Sequence, residues 1–364
     1  MPATLYPPIR ALVRDELGEL SPYVPHGGDF AVRLDANEAP DLFSDAAKER
    51  LARAAIEPSL ARYPDPLARE LKDAIAARVG ARTEELVIGV GSDEVIALLV
   101  TALDRARPRG RPAIVTLSPT FVMYAVSARA RGFQVVQVPL DAEWHLSVPS
   151  MKKAIEASSP AVVFLASPNN PTGNAFRTDD LRAVIEAAQQ SLVVLDEAYG
   201  AYADADLRAL FETYPNVALL GTLSKIGLAS LRVGWLRAHP ELAHELDKVR
   251  QPYNVPAVTQ RMATVALTEL GAELARTVAI VRAERARVAI ELGALGWMVT
   301  PSDANFLWAR TPKPAGETWE ALKARSILVR SFHDRGGRLA QQLRVTIGTP
   351  AENDRFLAAV KDIG

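Results

Sequence analysis

Short runs of valine, isoleucine and leucine recur through the first two thirds of the chain, at residues 86–90, 113–117, 135–138, 161–166, 192–195 and 217–220. The runs are nearly continuous instead of alternating with polar residues, which is typical of strands that helices cover on both faces. Their spacing of roughly 20 to 30 residues fits a strand, a crossover helix and the next strand. The pattern therefore predicts an α/β fold with a mostly parallel central sheet.

Two of the intervals between these runs show clear helix signals. Residues 93–103 are apolar with an acidic first turn, and residues 178–188 begin with Thr178, Asp179 and Asp180, which can cap a helix N-terminus. Helices in such intervals would cover both faces of the sheet.

The sequence pattern changes near residue 256. Residues 256–292 are rich in Ala, Arg and Glu and predict long helical segments with a break at Gly271. A smaller α+β unit is predicted beyond them, because short strand-like segments precede a last helical segment. These segments are residues 297–300, 305–308, 327–330 and 343–347, followed by residues 350–360.

Chain length sets the number of domains. With 364 residues, about two domains are expected. We predict a large domain over residues 36–255 and a small C-terminal α+β domain over residues 256–364. Residues 1–35 show no clear period and are predicted to be an N-terminal arm or a segment of the small domain.

Composition narrows the class of function. The chain has 42 Lys and Arg against 43 Asp and Glu, so no overall field attracts nucleic acid or an anionic membrane. It has no cysteine, which excludes disulfides, thiol nucleophiles and thiolate metal sites. His239 and His244 are five residues apart and do not share a helix face, so no metal is predicted. The charged first 20 residues and the lack of long apolar runs predict neither a signal peptide nor a membrane span, and we expect a cytoplasmic protein.

Polar residues directly follow four of the predicted strands. Ligands of open α/β sheets bind at the carboxyl ends of strands, so these residues are candidates for a site. The first group enters a predicted helix, where free backbone amides favour a phosphate. In chain order the groups are Gly91, Ser92 and Asp93; Asn170; Asp196 and Tyr199; and Thr222, Ser224 and Lys225, with Arg232 beyond them.

Together these groups offer a phosphate cradle, a lysine that can form an imine, and a carboxylate at the end of a buried strand. This combination suits pyridoxal phosphate. The lysine amine can bind the cofactor aldehyde, and the carboxylate can keep the pyridine nitrogen protonated so that the ring withdraws electrons.

Three motifs carry a resemblance to a known family. Ser-Pro-Asn-Asn-Pro-Thr-Gly (167–173), Asp-Glu-Ala-Tyr (196–199) and Thr-Leu-Ser-Lys (222–225), in this order, resemble the pyridoxal-phosphate-dependent aminotransferases of fold type I. More narrowly, the chain is similar to histidinol-phosphate aminotransferases from about residue 20 to its C-terminus. The segments that carry the narrower resemblance are residues 34–38, 62–66, 91–94, 304–306 and 343–346.

The resemblance implies roles at the reacting end of the cofactor. Lys225 would be the imine lysine and the base that moves the proton at Cα. Asp196 would pair with the pyridine nitrogen, and Asn170 and Tyr199 with the ring oxygen. Phe121 would stack on the ring, where the family often has tyrosine.

The resemblance also implies the phosphate and substrate contacts. Tyr63 would reach the cofactor phosphate of a second subunit, which makes a homodimer with shared active sites part of the expectation. Each subunit's own phosphate contacts would be Gly91, Ser92, Asp93, Ser224 and Arg232, and Thr222 would also bind the cofactor. Arg344 would bind the carboxylate or phosphate of the substrate, and further substrate contacts would come from Tyr23, Asn37, Asn170 and Arg330.

The sequence departs from the family pattern at two positions. The spacing from Lys225 to Arg232 is 232 − 225 = 7 residues, whereas many fold type I enzymes have one residue more. Gly221 stands where the family often has arginine. Neither departure removes a catalytic group, but both bear on the substrate.

The implied reaction moves an amino group between histidinol phosphate and imidazole-acetol phosphate on one side and glutamate and 2-oxoglutarate on the other. An aromatic amino-acid aminotransferase, or an enzyme like the threonine-phosphate decarboxylases, would use the same fold and cofactor. A regulator that uses this fold to sense an effector would need a DNA-binding module, for which about 35 residues before the sheet are too few.

Overall fold

The computed structural model of the protein describes residues 12–22, 27–103 and 110–364, which form two β-sheets and the helices packed on them. The strands, in chain order, are β1 (Val32–Leu34), β2 (Leu86–Val90), β3 (Ala113–Ser118), β4 (Gln134–Pro139), β5 (Val162–Ala166), β6 (Leu192–Asp196), β7 (Val217–Thr222), β8 (Val233–Arg237), β9 (Met298–Thr300), β10 (Phe306–Arg310), β11 (Ile327–Ser331) and β12 (Gln342–Thr346). The α-helices of the described residues are Asp45–Ile56, Arg69–Val79, Gly91–Ala102, Met123–Arg129, Val148–Ser158, Thr178–Ala187, Arg208–Thr213, Pro240–Val249, Ala257–Glu269, Gly271–Ala294, Ala315–Lys323 and Pro350–Ile363.

The larger sheet has the order β2-β8-β7-β6-β5-β3-β4. Strands β4, β3, β5, β6 and β7 are parallel, and all six predicted strand segments belong to this sheet. The prediction of an α/β fold with a mostly parallel sheet is confirmed.

Strand β8 was not predicted. It follows β7 after ten residues, too few for a crossover helix, and it pairs antiparallel with both β7 and β2. Its sequence Val-Gly-Trp-Leu-Arg lacks the continuous apolar run of the other strands. Gly234 is required there, because a Cβ at this position would lie 2.3 Å from the Ser92 amide nitrogen.

Helices cover both faces of this sheet. Alternate residues of β5 show this: Val163 and Leu165 belong to one buried apolar cluster, and Val162 and Phe164 belong to another. Strand side chains alternate between faces, so each cluster is the core between the sheet and one helix layer. The helices that contribute to the first cluster are Val148–Ser158, Thr178–Ala187 and Arg208–Thr213, and those that contribute to the second are Gly91–Ala102, Met123–Arg129 and Pro240–Val249.

The smaller sheet has the order β1-β11-β12-β10-β9. It contains the four strands predicted in the C-terminal region, with boundaries shifted by at most two residues. Strand β1 pairs parallel with β11, so residues 32–34 join the sheet formed by the C-terminal part of the chain. The predicted break at Gly271 is also present, since one helix ends at Glu269 and the next begins at Gly271.

Arg338 lies in the connection from β11 to β12 of the smaller sheet and contacts the segment that follows β4 of the larger sheet. Its guanidinium stacks on the Trp144 ring at 3.9 Å and donates to the carbonyls of Leu140, at 2.7 Å, and Asp141. Trp144 also packs edge-on against Trp308 of β10. In the described part of the chain, no helix is both long and apolar enough to cross a membrane.

Candidate active site

The site residues predicted at the ends of four strands converge at one edge of the larger sheet. Strands β2, β5, β6 and β7 all end at this edge, because β2 and β7 both run antiparallel to β8, which lies between them. Asp196 is the last residue of β6, and Thr222 is the last residue of β7. The carboxyl edge of the sheet is therefore the candidate site.

Asp196 is a buried carboxylate with two hydrogen-bond donors. Its side chain accepts from the Tyr124 hydroxyl at 2.5 Å and from the Ala198 amide at 2.9 Å. Burial raises the pKa of the Asp196 carboxyl, and the bond from Tyr124 acts in the opposite direction. Burial also raises the pKa of Tyr124 well above its usual value, so its hydroxyl stays protonated and donates.

Lys225 lies in the single turn Ser224–Ile226 that follows β7. Its Nζ is 5.8 Å from the centre of the Tyr199 ring. Its carbonyl oxygen accepts from the Tyr202 hydroxyl at 2.5 Å. The lysine amine and the Tyr199 ring, predicted from separate strand ends, are thus neighbours.

Gly91, Asp93, Ser224 and Arg232 lie close together at the start of the helix Gly91–Ala102. The Gly91 amide donates to the Arg232 carbonyl at 2.7 Å, and Arg232 Nη2 lies 3.2 Å from Asp93 Oδ2. Gly91 has a φ of +72°, and a Cβ there would lie 2.6 Å from Arg232 Nη2. A larger residue would fill the space between the helix N-terminus and the guanidinium.

Hydroxyl groups complete this part of the site. Ser224 Oγ lies 3.5 Å from Arg232 Nη1 and accepts from the Thr222 hydroxyl at 3.0 Å. Asp93 Oδ1 is buried and has no hydrogen-bond partner within the described residues. The structure therefore brings together a helix N-terminus, a guanidinium and two hydroxyls, which is the donor set of a phosphate site.

Arg344 joins the smaller sheet to this edge. Its Nη1 donates to Asn170 Oδ1 at 2.6 Å, and its Nη2 donates to the Asp35 carbonyl at 2.6 Å. Arg330 is directly opposite Arg344 in the antiparallel pairing of β11 and β12. Opposite residues of such a pair project from the same face, so the two guanidinium groups share one face of the sheet.

Asn37 contacts Tyr199. Its Nδ2 donates to the Tyr199 hydroxyl at 2.9 Å. The Thr346 hydroxyl accepts from the backbone amide of Asn37 at 3.0 Å and donates to Asn37 Oδ1 at 3.2 Å. Asn305 donates to the Asn37 carbonyl at 3.0 Å. The buried Asn37 thus links the smaller sheet to the Tyr199 hydroxyl.

The aromatic residues of the prediction lie in different places. Phe121 is partly buried and packs edge-on against Tyr124 at 5.5 Å, beside the partner of Asp196. Tyr63 is 82% exposed and stacks on Tyr253 at 4.7 Å, and it is not part of the cluster around Lys225. Tyr23 lies outside the described residues.

Local contacts surround Gly221 and Arg232, the two positions at which the sequence departs from the family pattern. A Cβ on Gly221 would lie 2.4 Å from the Trp235 indole, so no side chain fits at this position. The turn Ala229–Leu231 ends at Arg232, whose φ of 51° lies in the left-handed region. This turn directs Arg232 toward Ser224 and Asp93 with the seven-residue spacing.

Two tyrosines at the site were not predicted. Tyr124 lies inside an apolar helical segment, where an aromatic residue is indistinguishable from an ordinary core residue. Tyr202 is three residues beyond Tyr199, and its only sequence signal is that proximity. Each acts through a hydroxyl whose partner is distant in the chain.

Among the residues that the structure describes, one group of carboxylates and histidine elsewhere has side-chain atoms close enough to share an ion: Asp141, Glu143 and His145. All three are exposed. Asp141 Oδ1 accepts from the backbone amides of Glu143 at 3.0 Å and His145 at 2.7 Å, which is the pattern of a turn.

The chain is similar in sequence to a known family and to named members of it. The family described as aminotransferase class I and II matches residues 31–360. Histidinol-phosphate aminotransferase 2 of Cupriavidus pinatubonensis is 40% identical over 360 residues, covering 96% of both chains. The histidinol-phosphate aminotransferase of Chromobacterium violaceum is 39% identical, covering 97% of this chain and 98% of that one.

Solved structures have the same fold. The histidinol-phosphate aminotransferase of Sinorhizobium meliloti, solved in complex with pyridoxal-5'-phosphate, superposes with a TM-score of 0.84 at 24% identity and covers 96% of this chain and 98% of its own. A putative aminotransferase of Burkholderia pseudomallei superposes with a TM-score of 0.79 at 26% identity, with coverage of 93% and 99%.

Proposed function

The chain belongs to the class I and II aminotransferases, and on that premise we propose that it transfers an amino group from L-histidinol phosphate to 2-oxoglutarate. The products are imidazole-acetol phosphate and glutamate, and the reaction is reversible. One observation carries the choice of substrate: relatives named for this reaction are about 40% identical over 96% of both chains. The cofactor of the enzyme is pyridoxal phosphate.

The residues at the sheet edge fit this cofactor. Asp196 is only 4% exposed, and a carboxylate buried at this depth needs a positive partner, which a protonated ring nitrogen supplies. The cradle of Gly91, Ser224 and Arg232 fits the phosphate. The bound cofactor supplies an aldehyde carbon that takes up the amino group and a ring that withdraws electrons from the substrate Cα.

The protein's own residues hold and move the reacting atoms. Lys225 Nζ would hold the cofactor at its aldehyde carbon and, once the substrate amine has displaced it, would move the proton at the substrate Cα. Asp196 would keep the ring nitrogen protonated, while Tyr199 and Asn170 would donate to the ring oxygen. Asn37 orients Tyr199 through the 2.9 Å bond to its hydroxyl.

Arg344 and Arg330 bind the anionic end of each substrate. Like charges directly opposite each other in a sheet destabilise it, and an anion between the two guanidinium groups offsets that cost. A guanidinium pairs bidentately with carboxylate or phosphate, so one pair of arginines serves both glutamate and histidinol phosphate.

Replacing Arg344 with lysine is expected to weaken both half-reactions. Lysine keeps the charge but cannot span Asn170 and Asp35 while it holds an anion, so affinity should fall by about 10- to 100-fold for glutamate and for histidinol phosphate. KM values from steady-state assays test this. Arg310→Lys is the matched control, since Arg310 is exposed at the end of neighbouring β10. Unchanged KM values for both substrates in Arg344→Lys would contradict the assignment.

Comparison of amine donors tests the substrate itself. With 2-oxoglutarate as acceptor, histidinol phosphate should be turned over much faster than free histidinol, which lacks the anion that the arginines bind. Phenylalanine, tyrosine and threonine phosphate belong in the same assay, with carbon dioxide release monitored. Equal turnover of histidinol and its phosphate, or faster turnover of phenylalanine, would reject the substrate and leave the aminotransferase class intact. Carbon dioxide release from threonine phosphate would indicate a decarboxylase.

The enzyme acts as a homodimer with shared active sites. Tyr63 and Tyr253 form an exposed stacked pair, and exposed Leu60 and Leu67 add apolar surface of the kind that a partner protein covers. Asn254, next to Tyr253, donates to Glu94 at 2.8 Å in the first turn of the helix that begins at Gly91. This bond ties the segment that holds Tyr253 to the first turn of that helix in its own subunit. We propose that Tyr63 reaches the cofactor phosphate of the partner subunit.

Subunit mixing should reveal this sharing. Tyr63→Phe removes one phosphate contact, and Lys225→Ala removes the reacting amine. After subunit exchange, heterodimers contain one intact site, so an equal mixture should approach about a quarter of wild-type activity. Steady-state activity at limiting cofactor measures this. Activity no higher than the mean of the two parent variants, with exchange verified by mass spectrometry, would show that Tyr63 does not act across the interface.

A further inference from the structure

Tyr202 follows a strand of the larger sheet in the chain, but its side chain packs in the core of the smaller sheet. It lies in the turn Gly200–Tyr202, six residues beyond Asp196 at the end of β6. Its fully buried side chain belongs to the apolar cluster of the smaller sheet, together with Leu34, Val281 and Val345. The packing of the smaller sheet therefore fixes the Tyr202 ring.

The Tyr202 hydroxyl leaves that core to bind the main chain at Lys225. It donates to the Lys225 carbonyl at 2.5 Å, and it is the one hydrogen-bond donor to this carbonyl within the described residues. The turn Ser224–Ile226 is held at its start by the Ser224 amide, which donates to the Thr222 hydroxyl at 3.1 Å, and by the Ile226 amide, which bonds the Leu223 carbonyl at 3.3 Å. Burial raises the pKa of Tyr202 above its usual value, so the hydroxyl remains a donor.

Arg285 holds the other end of Tyr202. Its guanidinium Nη1 donates to the Ala304 carbonyl at 2.9 Å and lies 3.5 Å from the Tyr202 carbonyl. Arg285 belongs to the helix Gly271–Ala294, which packs on the smaller sheet. The main chain of Tyr202 and its ring are thus both fixed by the smaller sheet's layer, and its hydroxyl is fixed on Lys225.

We propose that Tyr202 is a positioning residue that holds the main chain of Lys225 at the distance its Nζ needs for proton transfer at the substrate Cα. In this role it acts through Lys225, by the bond to its carbonyl, and not by contact with substrate or cofactor. A phenylalanine ring would fill the same apolar space, so packing alone does not account for the hydroxyl. The inference rests on the proposed function of Lys225 as the amine that moves this proton.

The test is Tyr202→Phe in the cofactor-loaded enzyme. This change removes one hydroxyl and leaves the ring. We expect kcat to fall about tenfold while KM for glutamate stays within about twofold, because proton transfer slows and the anion site is untouched. The deuterium isotope effect on kcat with Cα-deuterated glutamate should increase. The midpoint of the pH titration of the visible cofactor absorbance should move, since this reports the surroundings of Lys225 Nζ directly.

Tyr214→Phe is the matched control, because the Tyr214 hydroxyl bonds Glu186 at 2.8 Å on the surface. It should leave all three readouts at wild-type values. Thermal unfolding of the cofactor-free variants separates a folding defect from a loss of positioning. Arg285→Lys is a second variant, which loosens Tyr202 without removing its hydroxyl. It should change the same readouts in the same direction, but by less.

The outcomes separate the inference from the function on which it rests. If Tyr202→Phe leaves kcat, isotope effect and titration unchanged, the positioning role is wrong. A loss of kcat accompanied by a raised KM and an unchanged isotope effect shows a merely structural role and also overturns it. If borohydride fixes the wild-type cofactor on a lysine other than Lys225, the proposed function of Lys225 fails instead.

Discussion

Lys225→Ala is expected to abolish turnover while leaving the protein folded and able to hold the cofactor through its phosphate. One nitrogen atom attaches the cofactor and moves the proton at Cα, so both half-reactions lose their base. General base catalysis alone contributes about 10²- to 10⁴-fold, and loss of covalent attachment adds to this. We therefore expect activity at least about 10⁴-fold below wild type. The visible absorbance of the lysine-bound cofactor should disappear as well.

Lys153→Ala is a suitable control, since Lys153 is an exposed residue of the helix Val148–Ser158. It should retain wild-type turnover and absorbance. Borohydride reduction of the wild-type holoenzyme, followed by peptide mapping, should find the cofactor on Lys225. Recovery of the modified peptide from any other lysine, or substantial turnover in Lys225→Ala, would contradict the assignment.

Much of the site could be predicted because it lies where buried strands end. A strand covered on both faces requires a continuous apolar run, and the first polar residues after it mark the carboxyl edge. Asp196 and Lys225 follow two such runs, so their convergence follows from the parallel sheet. The same reasoning could not find β8, whose glycine and arginine interrupt the apolar pattern.

The contacts between the two sheets could not be predicted from local sequence. Strand β1 pairs with β11 about 295 residues away, as Val32 opposite Ile327. The bonds from Asn37 to Tyr199 and from Tyr202 to Lys225 depend on that placement. Hydrophobic periodicity describes which face of a segment is buried, but it carries no information about which distant segment covers that face.

Asp196→Asn is expected to lower turnover by about 10²- to 10³-fold without destabilising the cofactor-free protein. The asparagine amide occupies the same space but carries no negative charge, so the ring nitrogen of the cofactor is no longer held protonated. Steady-state turnover with saturating cofactor measures the loss. Asp179→Asn, at an exposed carboxylate paired with Arg182 at 2.7 Å, is the matched control.

Asp196→Asn should lower turnover, but it should not lower the stability of the cofactor-free protein. Because burial raises the pKa of Asp196 in the folded state, folding favours the protonated carboxyl, and this group's contribution to stability falls as pH rises through its folded pKa. Asparagine is neutral at every pH and lacks this cost. At neutral pH the unfolding temperature of cofactor-free Asp196→Asn should equal or exceed that of cofactor-free wild type, and any advantage should shrink as the pH falls.

With pyridoxal phosphate added, the order of the two unfolding temperatures should reverse, because only the wild-type carboxylate gains a positive partner. A lower unfolding temperature for the variant in the absence of cofactor would assign Asp196 a structural role, and turnover within a few-fold of wild type would exclude it from catalysis.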